Sequence, residues 1–290
     1  MEFNRYYAPE GEEALLRTCS RIRHVALDMD GTIYLGSQLF PYTNPFLATL
    51  SRLGIGYTFL TNNPTRSAAD YVARLRRMGV EADLSMMYTS SMATLDYLRS
   101  HHPTARRLFV LGTPSMQEEF RAAGYIMAGD DPDDRPDVLI VAFDTTLVYS
   151  RFCRAAWWAS FRDIPYIATN PDWVCPTDQR TILIDCGSLC KALEGASGRQ
   201  PDIVIGKPNP AMLWCIRDKY GLESDEVAMI GDRIYTDVAA GRNAGGLGIL
   251  VLSGETSLET ALAADPQPAL TARDVSVVGE LLLRSRGLAD

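Results

Sequence analysis

The sequence predicts an α/β protein with a doubly wound parallel sheet and a second α/β domain inserted into it. Short apolar runs of strand length alternate with helix-like stretches, such as residues 70–78. Residues suited to catalysis fall into two groups, 28–63 and 206–237, and the connection between them contains strand-like runs of its own. Because a connection of about 140 residues is not credible as a loop within one domain, part of it is predicted to form an inserted domain.

The domain boundaries follow from the same pattern. The left boundary of the insert follows the break at Pro103, and the right boundary precedes a core strand expected to begin at Asp202. The predicted segments are an amino-terminal extension of residues 1–20 with helical character near Glu12–Leu16, a catalytic core of residues 21–102 and 201–290, and an inserted α/β domain of residues 103–200.

The first chemical element is residues 25–31, an apolar run that ends in Asp28 and Asp30 and is followed by Gly31. Such a strand delivers its carboxylates to the edge where open α/β sheets bind ligands, and glycine permits a sharp turn there. Residues i and i+2 of an extended strand point the same way, so both carboxylates would face one ligand. Crowded carboxylates favour a hard cation such as Mg²⁺. Alone, the pattern also fits an exposed turn.

Three further apolar runs end in polar groups. One leads to Thr61 and Asn62, one to Lys207, and one to Asp232 and Asp237. Each is weak alone, because a lysine after a strand is usually solvated and a Thr-Asn-Asn segment is usually a turn or a helix cap. Together the runs supply a nucleophile, metal-binding carboxylates, a cation and hydroxyl or amide donors. These are the groups that phosphoryl transfer requires.

This ordered set of motifs resembles the haloacid dehalogenase superfamily of phosphatases, and within it the nitrophenylphosphatase-like (NagD-type) branch. The resemblance spans nearly the whole chain. The superfamily motifs are Asp28-Met-Asp-Gly-Thr, Thr61-Asn-Asn, Gly206-Lys-Pro and Gly231-Asp-Arg-x-x-Thr-Asp. The branch is indicated by Ile167-Ala-Thr-Asn-Pro-Asp, Ala196-Ser-Gly-Arg-Gln and residues 241–255.

The resemblance implies a Mg²⁺-dependent phosphatase that hydrolyses a small phosphomonoester through an aspartyl-phosphate on Asp28. Asp30 would protonate the leaving oxygen and then activate water. Lys207 would neutralise charge on the phosphoryl group and on Asp28, and Thr61 and Asn62 would hold phosphate oxygens. These assignments make Asp28, Asp30 and Lys207 the predicted catalytic residues.

The resemblance also implies the metal ligands. Asp28 and Asp232 would bind Mg²⁺ through their carboxylates, and Asp30 would bind it through its backbone carbonyl. Asp237 would hold a metal-bound water or Lys207 instead of the metal itself.

The inserted domain would be a cap that closes over the active site, with a loop from Asp172 through Pro176 to Ser188 that selects the leaving group. The loop departs from the branch pattern, because Ile184-Asp185-Cys186-Gly187 stands where many relatives have a Pro-Gly-x-Gly-like run. Substrate choice is therefore not transferable from relatives. Ordinary packing explains Trp173 and Cys175 equally well. The candidate specificity residues are Trp173, Cys175, Gly187 and Ser188.

Two other functions use the same residues. A phosphotransferase or mutase would form the same aspartyl-phosphate and exclude water. A non-catalytic regulatory module would bind phosphate and Mg²⁺ without turnover, but it would not need Asp28, Asp30, Lys207 and Asp232 all intact. A dinucleotide site is disfavoured, because Asp-Gly-Thr follows the first run where Gly-x-Gly-x-x-Gly would be required.

Composition excludes several classes of protein and site. The 290 residues carry a net charge of −8, which argues against a nucleic-acid partner. Apolar runs such as Val138–Phe143 are far shorter than the ~20 residues of a membrane helix, and the first twenty residues lack a signal-peptide core, so a soluble cytoplasmic protein is expected. Six scattered cysteines and three histidines do not suggest a zinc site, a disulfide scaffold or a Ser-His-Asp triad. The expected partner is a small phosphorylated metabolite, and the resemblance adds self-association through the cap as a homodimer.

Overall fold

The protein was analysed as a computed structural model that describes residues 5–175 and 181–288. It has the predicted α/β fold with parallel sheets, and its residue contacts divide it into two units. The first unit contains the residues up to 60, residues 74–87 and the residues from 207 onward. The second unit contains residues 61–73 and 88–206. The domain boundaries predicted near residues 103 and 200 stay a prediction.

The strands form two main sheets and two short hairpins. The larger sheet consists of β1 (Tyr6–Tyr7), β2 (His24–Leu27), β5 (Gly56–Thr61), β6 (Met87–Thr89), β14 (Val227–Gly231), β15 (Leu247–Val251) and β16 (Leu270–Ala272). The smaller sheet consists of β7 (Arg107–Leu111), β8 (Ile126–Met127), β9 (Val138–Val141), β10 (Tyr166–Ala168) and β13 (Ile203–Val204). The hairpins are β3 (Tyr34–Leu35) with β4 (Gln38–Leu39), and β11 (Val174–Cys175) with β12 (Leu183–Ile184).

Helices are interspersed with the strands throughout the described residues. They are α1 (Glu12–Arg21), α2 (Thr43–Arg52), α3 (Ala68–Arg77), α4 (Ser90–His101), α5 (Pro114–Ala122), α6 (Tyr149–Ala159), α7 (Cys186–Ser197), α8 (Ala211–Tyr220), α9 (Ala239–Asn243), α10 (Leu258–Ala263) and α11 (Val275–Arg284). Some starts are set by side-chain caps, since the Thr89 hydroxyl accepts from the backbone N–H of Met92 at 3.2 Å. Within the described ranges, no helix is both long and apolar enough to cross a bilayer.

The larger sheet has the strand order β1-β16-β15-β14-β2-β5-β6. β2 pairs in parallel with β14 on one side and with β5 on the other, so Ala26 lies opposite both Met229 and Thr58. β2 is fully buried, which explains its continuous apolar sequence, because a central strand of a parallel sheet is covered on both faces. The predicted strands at 57–61 and 227–231 are confirmed. The carboxyl ends of β2 and β14 are therefore neighbours.

The smaller sheet has the strand order β13-β10-β9-β7-β8, and all its pairings are parallel. Its core includes Phe109, Trp158 and Tyr166, which are buried between the sheet and the helices. The expectation of a core strand from Asp202 is wrong, because β13 pairs with β10 at the edge of this smaller sheet. Hydrophobic pattern predicts a strand but does not specify the sheet that it joins.

The amino-terminal segment is part of the larger sheet and its helical layer. β1 pairs antiparallel with β16, where Tyr6 lies opposite Ala272. The predicted helix near Glu12 is confirmed as α1. Arg5 bonds Glu280 at 2.5 Å, and Arg284 forms an ion pair with Glu12. Residues 1–4 of the predicted extension lie outside the described residues.

Candidate active site

A group of charged side chains lies past the carboxyl ends of the two central strands of the first unit. Asp28 follows β2 and Asp232 follows β14. The backbone N–H of Asp28 donates to the carbonyl of Ile230 at 2.9 Å, which continues the strand pairing beyond Leu27. Because parallel neighbours end at the same edge, the two carboxylates are brought together by local sheet geometry.

Lys207 lies between Asp28 and a third carboxylate, Asp237. Its Nζ is 2.6 Å from Oδ1 of Asp28 and 2.6 Å from Oδ1 of Asp237. The lysine side chain is only 3% exposed. Burial lowers the pKa of Lys207, but Asp237 and Asp28 outweigh burial and hold this pKa above its ordinary value. Lys207 is therefore a fixed positive charge.

Three carboxylates surround this one ammonium group. Asp28, Asp232 and Asp237 each offer an oxygen, and these oxygens lie within 4.8 Å of one another. Burial raises the pKa of Asp28 well above its ordinary value, while burial and the charge of Asp237 raise the pKa of Asp232 to about 6. The cluster has more negative charge than Lys207 can neutralise.

Asp232 also has a polar atom suited to a metal. Its Oδ1 is buried and has no hydrogen-bond partner among the described residues. A buried carboxylate oxygen without a partner is costly, whereas a hard divalent cation would satisfy it. The donor set therefore fits Mg²⁺ or a similar ion.

The loop of residues 253–256 holds the rest of Asp232. The backbone N–H of Glu255 donates to Asp232 Oδ2 at 2.7 Å, and the Thr256 hydroxyl donates to the Asp232 carbonyl at 2.5 Å. A Cβ on Gly254 or on Gly31 would overlap Oδ2 of Asp232, so both backbones approach the carboxylate more closely than any side chain permits. The loop thus uses one carboxylate oxygen and leaves the other available.

Asp237 is held by different contacts. Its Oδ2 accepts from the backbone N–H of Arg233 at 3.0 Å, and its Oδ1 faces Lys207. The carboxylate lies against Gly231, where a Cβ would overlap it. Asp237 therefore contacts Lys207, and its predicted role outside the direct metal ligands stays a prediction.

Asp30 has a separate environment. It is exposed, and its Oδ2 accepts from the Tyr34 hydroxyl at 3.1 Å. Because β2 ends at Leu27, Asp28 and Asp30 both lie beyond the strand, and strand alternation does not set their directions. The exposed carboxylate is accessible for proton exchange, and its catalytic role stays a prediction.

Thr61 and Asn62 belong to the second unit. Thr61 is the last residue of β5, and its hydroxyl accepts from the backbone N–H of Asn63 at 3.1 Å. The side-chain Nδ2 of Asn62 donates to Asp172 Oδ2 at 2.8 Å. A Cβ at Gly206 would lie 2.6 Å from Oδ1 of Asn62, so this amide oxygen is closely packed. Both ends of the Asn62 side chain are therefore in contact with protein.

The candidate specificity residues surround the β11–β12 hairpin. Trp173 is 59% exposed, and Cys175 Sγ lies 3.9 Å from Asn63 Nδ2. Ser188 donates its hydroxyl to the Trp173 carbonyl at 2.7 Å, and Gly187 donates its N–H to the Asp172 carbonyl at 2.8 Å. Gly187 and Ser188 thus support the hairpin. Pro176, through which the predicted loop runs, lies outside the described residues.

Sequence reasoning missed several supporting residues. It gave no role to the 253–256 loop, to Tyr34, or to the contacts of Asn170 with Asp172 and Asp185. In the sequence, the run ending at Glu255 indicates only the branch of the superfamily. The hydrogen bond from the backbone N–H of Glu255 to Asp232 joins two distant segments, and no sequence pattern indicates such a pairing.

Two family profiles match the chain, one in each half. A family profile described as haloacid dehalogenase-like hydrolase matches residues 25–126, and one described as HAD-hydrolase-like matches residues 204–278. The ribonucleotide monophosphatase NagD of Escherichia coli K12 is 33% identical over 238 residues, which cover 82% of this chain and 90% of that protein.

Two solved structures show the same similarity in three dimensions. The 4-nitrophenylphosphatase of Thermotoga maritima has a TM-score of 0.85 and 37% identity, covering 90% of this chain and 98% of that one. The glycerol phosphate phosphatase of Mycobacterium tuberculosis in complex with magnesium has a TM-score of 0.81 and 27% identity, covering 91% of this chain and 78% of that one.

Proposed function

The chain belongs to the haloacid dehalogenase-like hydrolases and is a phosphoric monoester hydrolase, and from that premise we propose that it hydrolyses a small phosphomonoester with Mg²⁺ through an aspartyl-phosphate on Asp28. One observation carries the proposal. Lys207 lies 2.6 Å from Asp28, and the neighbouring Asp232 has a buried oxygen without a hydrogen-bond partner among the described residues. This arrangement suits a nucleophile beside a cation site.

Mg²⁺ is the proposed ion because the carboxylate set is hard and the magnesium complex of the mycobacterial relative supports it. Asp28 and Asp232 would hold the ion through carboxylates, and Asp30 through its backbone carbonyl. When bound, the ion would offset repulsion between the phosphate dianion and the carboxylates.

The residues of the chain would then act in two steps. A carboxylate oxygen of Asp28 attacks phosphorus while the bond to the ester oxygen breaks, and Asp30 gives its proton to that oxygen. Water next attacks phosphorus, Asp30 takes the water proton, and the bond from phosphorus to Asp28 breaks. Lys207 favours the ionised form of Asp28, against the burial that raises the pKa of Asp28, and would offset charge on the transferred group.

Phosphate oxygens would be held by the hydroxyl of Thr61 and by Asn62. Because the Asn62 side chain already donates to Asp172, its contribution is assigned to the backbone N–H. The exposed Trp173 and the neighbouring Cys175 would contact the leaving group, and Gly187 and Ser188 would support them. These assignments leave the identity of the substrate to be found by assay.

The test is phosphate release from p-nitrophenyl phosphate with Mg²⁺, with excess chelator, and with Mg²⁺ restored. We expect activity only when Mg²⁺ is present, and full activity in chelator would refute the metal assignment.

A second experiment traps the intermediate. Quenching during turnover followed by borohydride reduction should convert the acyl phosphate to homoserine at position 28, detected by mass spectrometry. A panel of sugar phosphates, nucleoside monophosphates, phosphoglycolate and pyridoxal phosphate would identify the substrate class. No phosphate release from any ester would overturn the proposed function.

A further inference from the structure

The second unit contains a buried hydrogen-bond network that the proposed chemistry does not use. Asp172, Asn170 and Asp185 are 3%, 1% and 4% exposed. Asp172 Oδ2 accepts from Nδ2 of Asn62 at 2.8 Å and from Nδ2 of Asn170 at 2.9 Å. Nδ2 of Asn170 also donates to Asp185 Oδ1 at 2.9 Å. We refer to these four residues as the amide–carboxylate network.

The same network holds the backbone of the exposed hairpin. The Asp172 carbonyl accepts from the N–H of Gly187, and the Trp173 carbonyl accepts from the N–H of Asp185 at 3.0 Å and from the Ser188 hydroxyl. The Trp173 carbonyl is therefore held by two donors. Asp172 links Asn62 to the segment that leads into this hairpin, because its side chain accepts from Asn62 and its carbonyl accepts from the N–H of Gly187 at the start of α7.

A carboxylate at this position is not explained by packing. Burying a charged group is costly unless several hydrogen bonds compensate it, and an apolar side chain would fill the same volume at a lower cost. A carboxylate that accepts from two amides does fix the orientation of both, because bonds to an ionised acceptor are stronger and more directional than neutral ones. Orientation of the amides of Asn62 and Asn170 is thus what the Asp172 carboxylate provides.

We propose that Asp172 is a positioning residue that fixes Asn62 for phosphate binding and couples that binding to the hairpin bearing Trp173. The proposal rests on the assignment of Asn62 to phosphate in the proposed function. It places phosphate recognition and leaving-group recognition on one hydrogen-bonded network within the second unit. A substrate would be held at both ends by groups that Asp172 connects.

The first test is Asp172→Ala, which removes the shared acceptor. Since phosphate contacts at Asn62 act on substrate and transition state alike, KM for p-nitrophenyl phosphate and the dissociation constant of inorganic phosphate should both rise about tenfold, while kcat changes less than about threefold. Asp172→Asn retains an oxygen acceptor and should recover most of that loss. The matched control is Asp144→Ala, which removes a carboxylate that is also buried, at 7% exposure, and accepts two hydrogen bonds from Thr146. It should leave both constants unchanged.

A double-mutant cycle separates positioning from general destabilisation. If Asp172 acts through Asn62, then Asp172→Ala should add little to the loss already caused by Asn62→Ala. Fully additive losses would overturn the proposal. An Asp172→Ala variant with wild-type phosphate affinity would also overturn it.

A measurement on the wild-type protein covers the case in which Asp172→Ala does not fold. Inorganic phosphate is titrated while the side-chain amide resonances of Asn62 and Asn170 are followed by NMR. Both should shift with one dissociation constant, because Asn170 is connected to Asn62 through Asp172. A shift of Asn62 without Asn170 would overturn the coupling. This readout needs no turnover, so its failure is distinguishable from failure of the proposed hydrolysis.

Discussion

The two units of the protein contain buried carboxylates in opposite electrostatic situations. In the first unit, Asp28, Asp232 and Asp237 surround Lys207 with an excess of negative charge, and burial raises the pKa of Asp28 and Asp232. In the second unit, Asp172 and Asp185 accept from the neutral amide of Asn170. Burial of an acidic side chain therefore does not by itself identify its role. Charge left uncompensated indicates a cation site, and hydrogen bonds from neutral amides indicate positioning.

The largest effect is expected for Asp28→Asn, which changes a carboxylate of the cluster around Lys207. An amide oxygen is a poor nucleophile, so kcat for p-nitrophenyl phosphate should fall about 10⁴-fold or more. Circular dichroism should show an intact fold, because the substitution removes a buried charge without changing size. The control is Asp218→Asn, in which an exposed carboxylate is replaced and activity should be unchanged. Near-wild-type turnover by Asp28→Asn would exclude Asp28 as the nucleophile.

Asp30→Asn tests an acid that belongs to neither buried group. Its exposed side chain accepts from Tyr34, and loss of its proposed proton-transfer role should lower kcat roughly 10²-fold. The backbone carbonyl survives, so calorimetric Mg²⁺ affinity should persist. The loss should be larger for an alkyl phosphate than for p-nitrophenyl phosphate, because a good leaving group needs less protonation. Equal losses for the two esters would argue against Asp30 as the leaving-group acid.

Gly254→Ala tests whether the unpartnered oxygen of Asp232 is held in place for a cation. The added Cβ would overlap Asp232 Oδ2, so the carboxylate must move and Mg²⁺ affinity should fall about 10- to 100-fold by calorimetry. The control is Gly195→Ala on α7, where a Cβ meets no described atom within 4 Å. Unchanged Mg²⁺ affinity in Gly254→Ala would show that the 253–256 loop does not position Asp232.

The smallest effect is on stability and involves His24, at the opposite end of β2 from Asp28. His24 is 2% exposed, and its Nε2 lies 2.9 Å from the Thr58 hydroxyl. Burial, reinforced by Lys219, lowers the pKa of His24 to about 4. Between about pH 6.5 and pH 4 the unfolded chain therefore binds the extra proton, and the free energy of unfolding falls as the pH falls.

His24→Gln should remove this dependence. From pH 7 to pH 5 the wild type should lose about 2 kcal/mol more unfolding free energy than the variant, measured by urea denaturation. His101→Gln, at an exposed position on α4, should behave as the wild type. The raised pKa values of Asp28 and Asp232 have the opposite effect on stability. As the pH falls, these two groups bind protons in the folded state before they do so in the unfolded chain, and the free energy of unfolding rises. Identical pH profiles for the wild type and His24→Gln would contradict the effect of burial on His24.

The sequence is sufficient to predict those parts of the structure that depend on the local pattern of apolar and polar residues. Apolar runs predicted β2, β5 and β14, and their polar ends predicted that Asp28 and Asp232 would meet at one edge. The grouping of Lys207 with Asp28 followed from the family resemblance, and the structure contains this contact.

What the sequence could not provide depends on contacts between distant segments. β13 was assigned to the wrong sheet because its pattern does not encode its neighbour β10. The hydrogen bond from Glu255 to Asp232 involves a backbone N–H, which every non-proline residue has, so no residue type indicates it. Asn170 likewise has a side chain typical of turns, and its bridge between two acids is visible only after folding.

The ion pair between Lys207 and Asp28 also has a consequence for biosynthesis. Its two residues are 179 positions apart in the chain. At ~5–20 residues per second, roughly ten to forty seconds of translation separate the emergence of Asp28 from that of its cation. β5 can pair with β2 early, but β14 is made only after all the strands of the smaller sheet. The nascent chain therefore carries Asp28 without its ion-pair partner for most of its synthesis, and we expect the charged cluster to assemble only when the final third of the protein has left the ribosome.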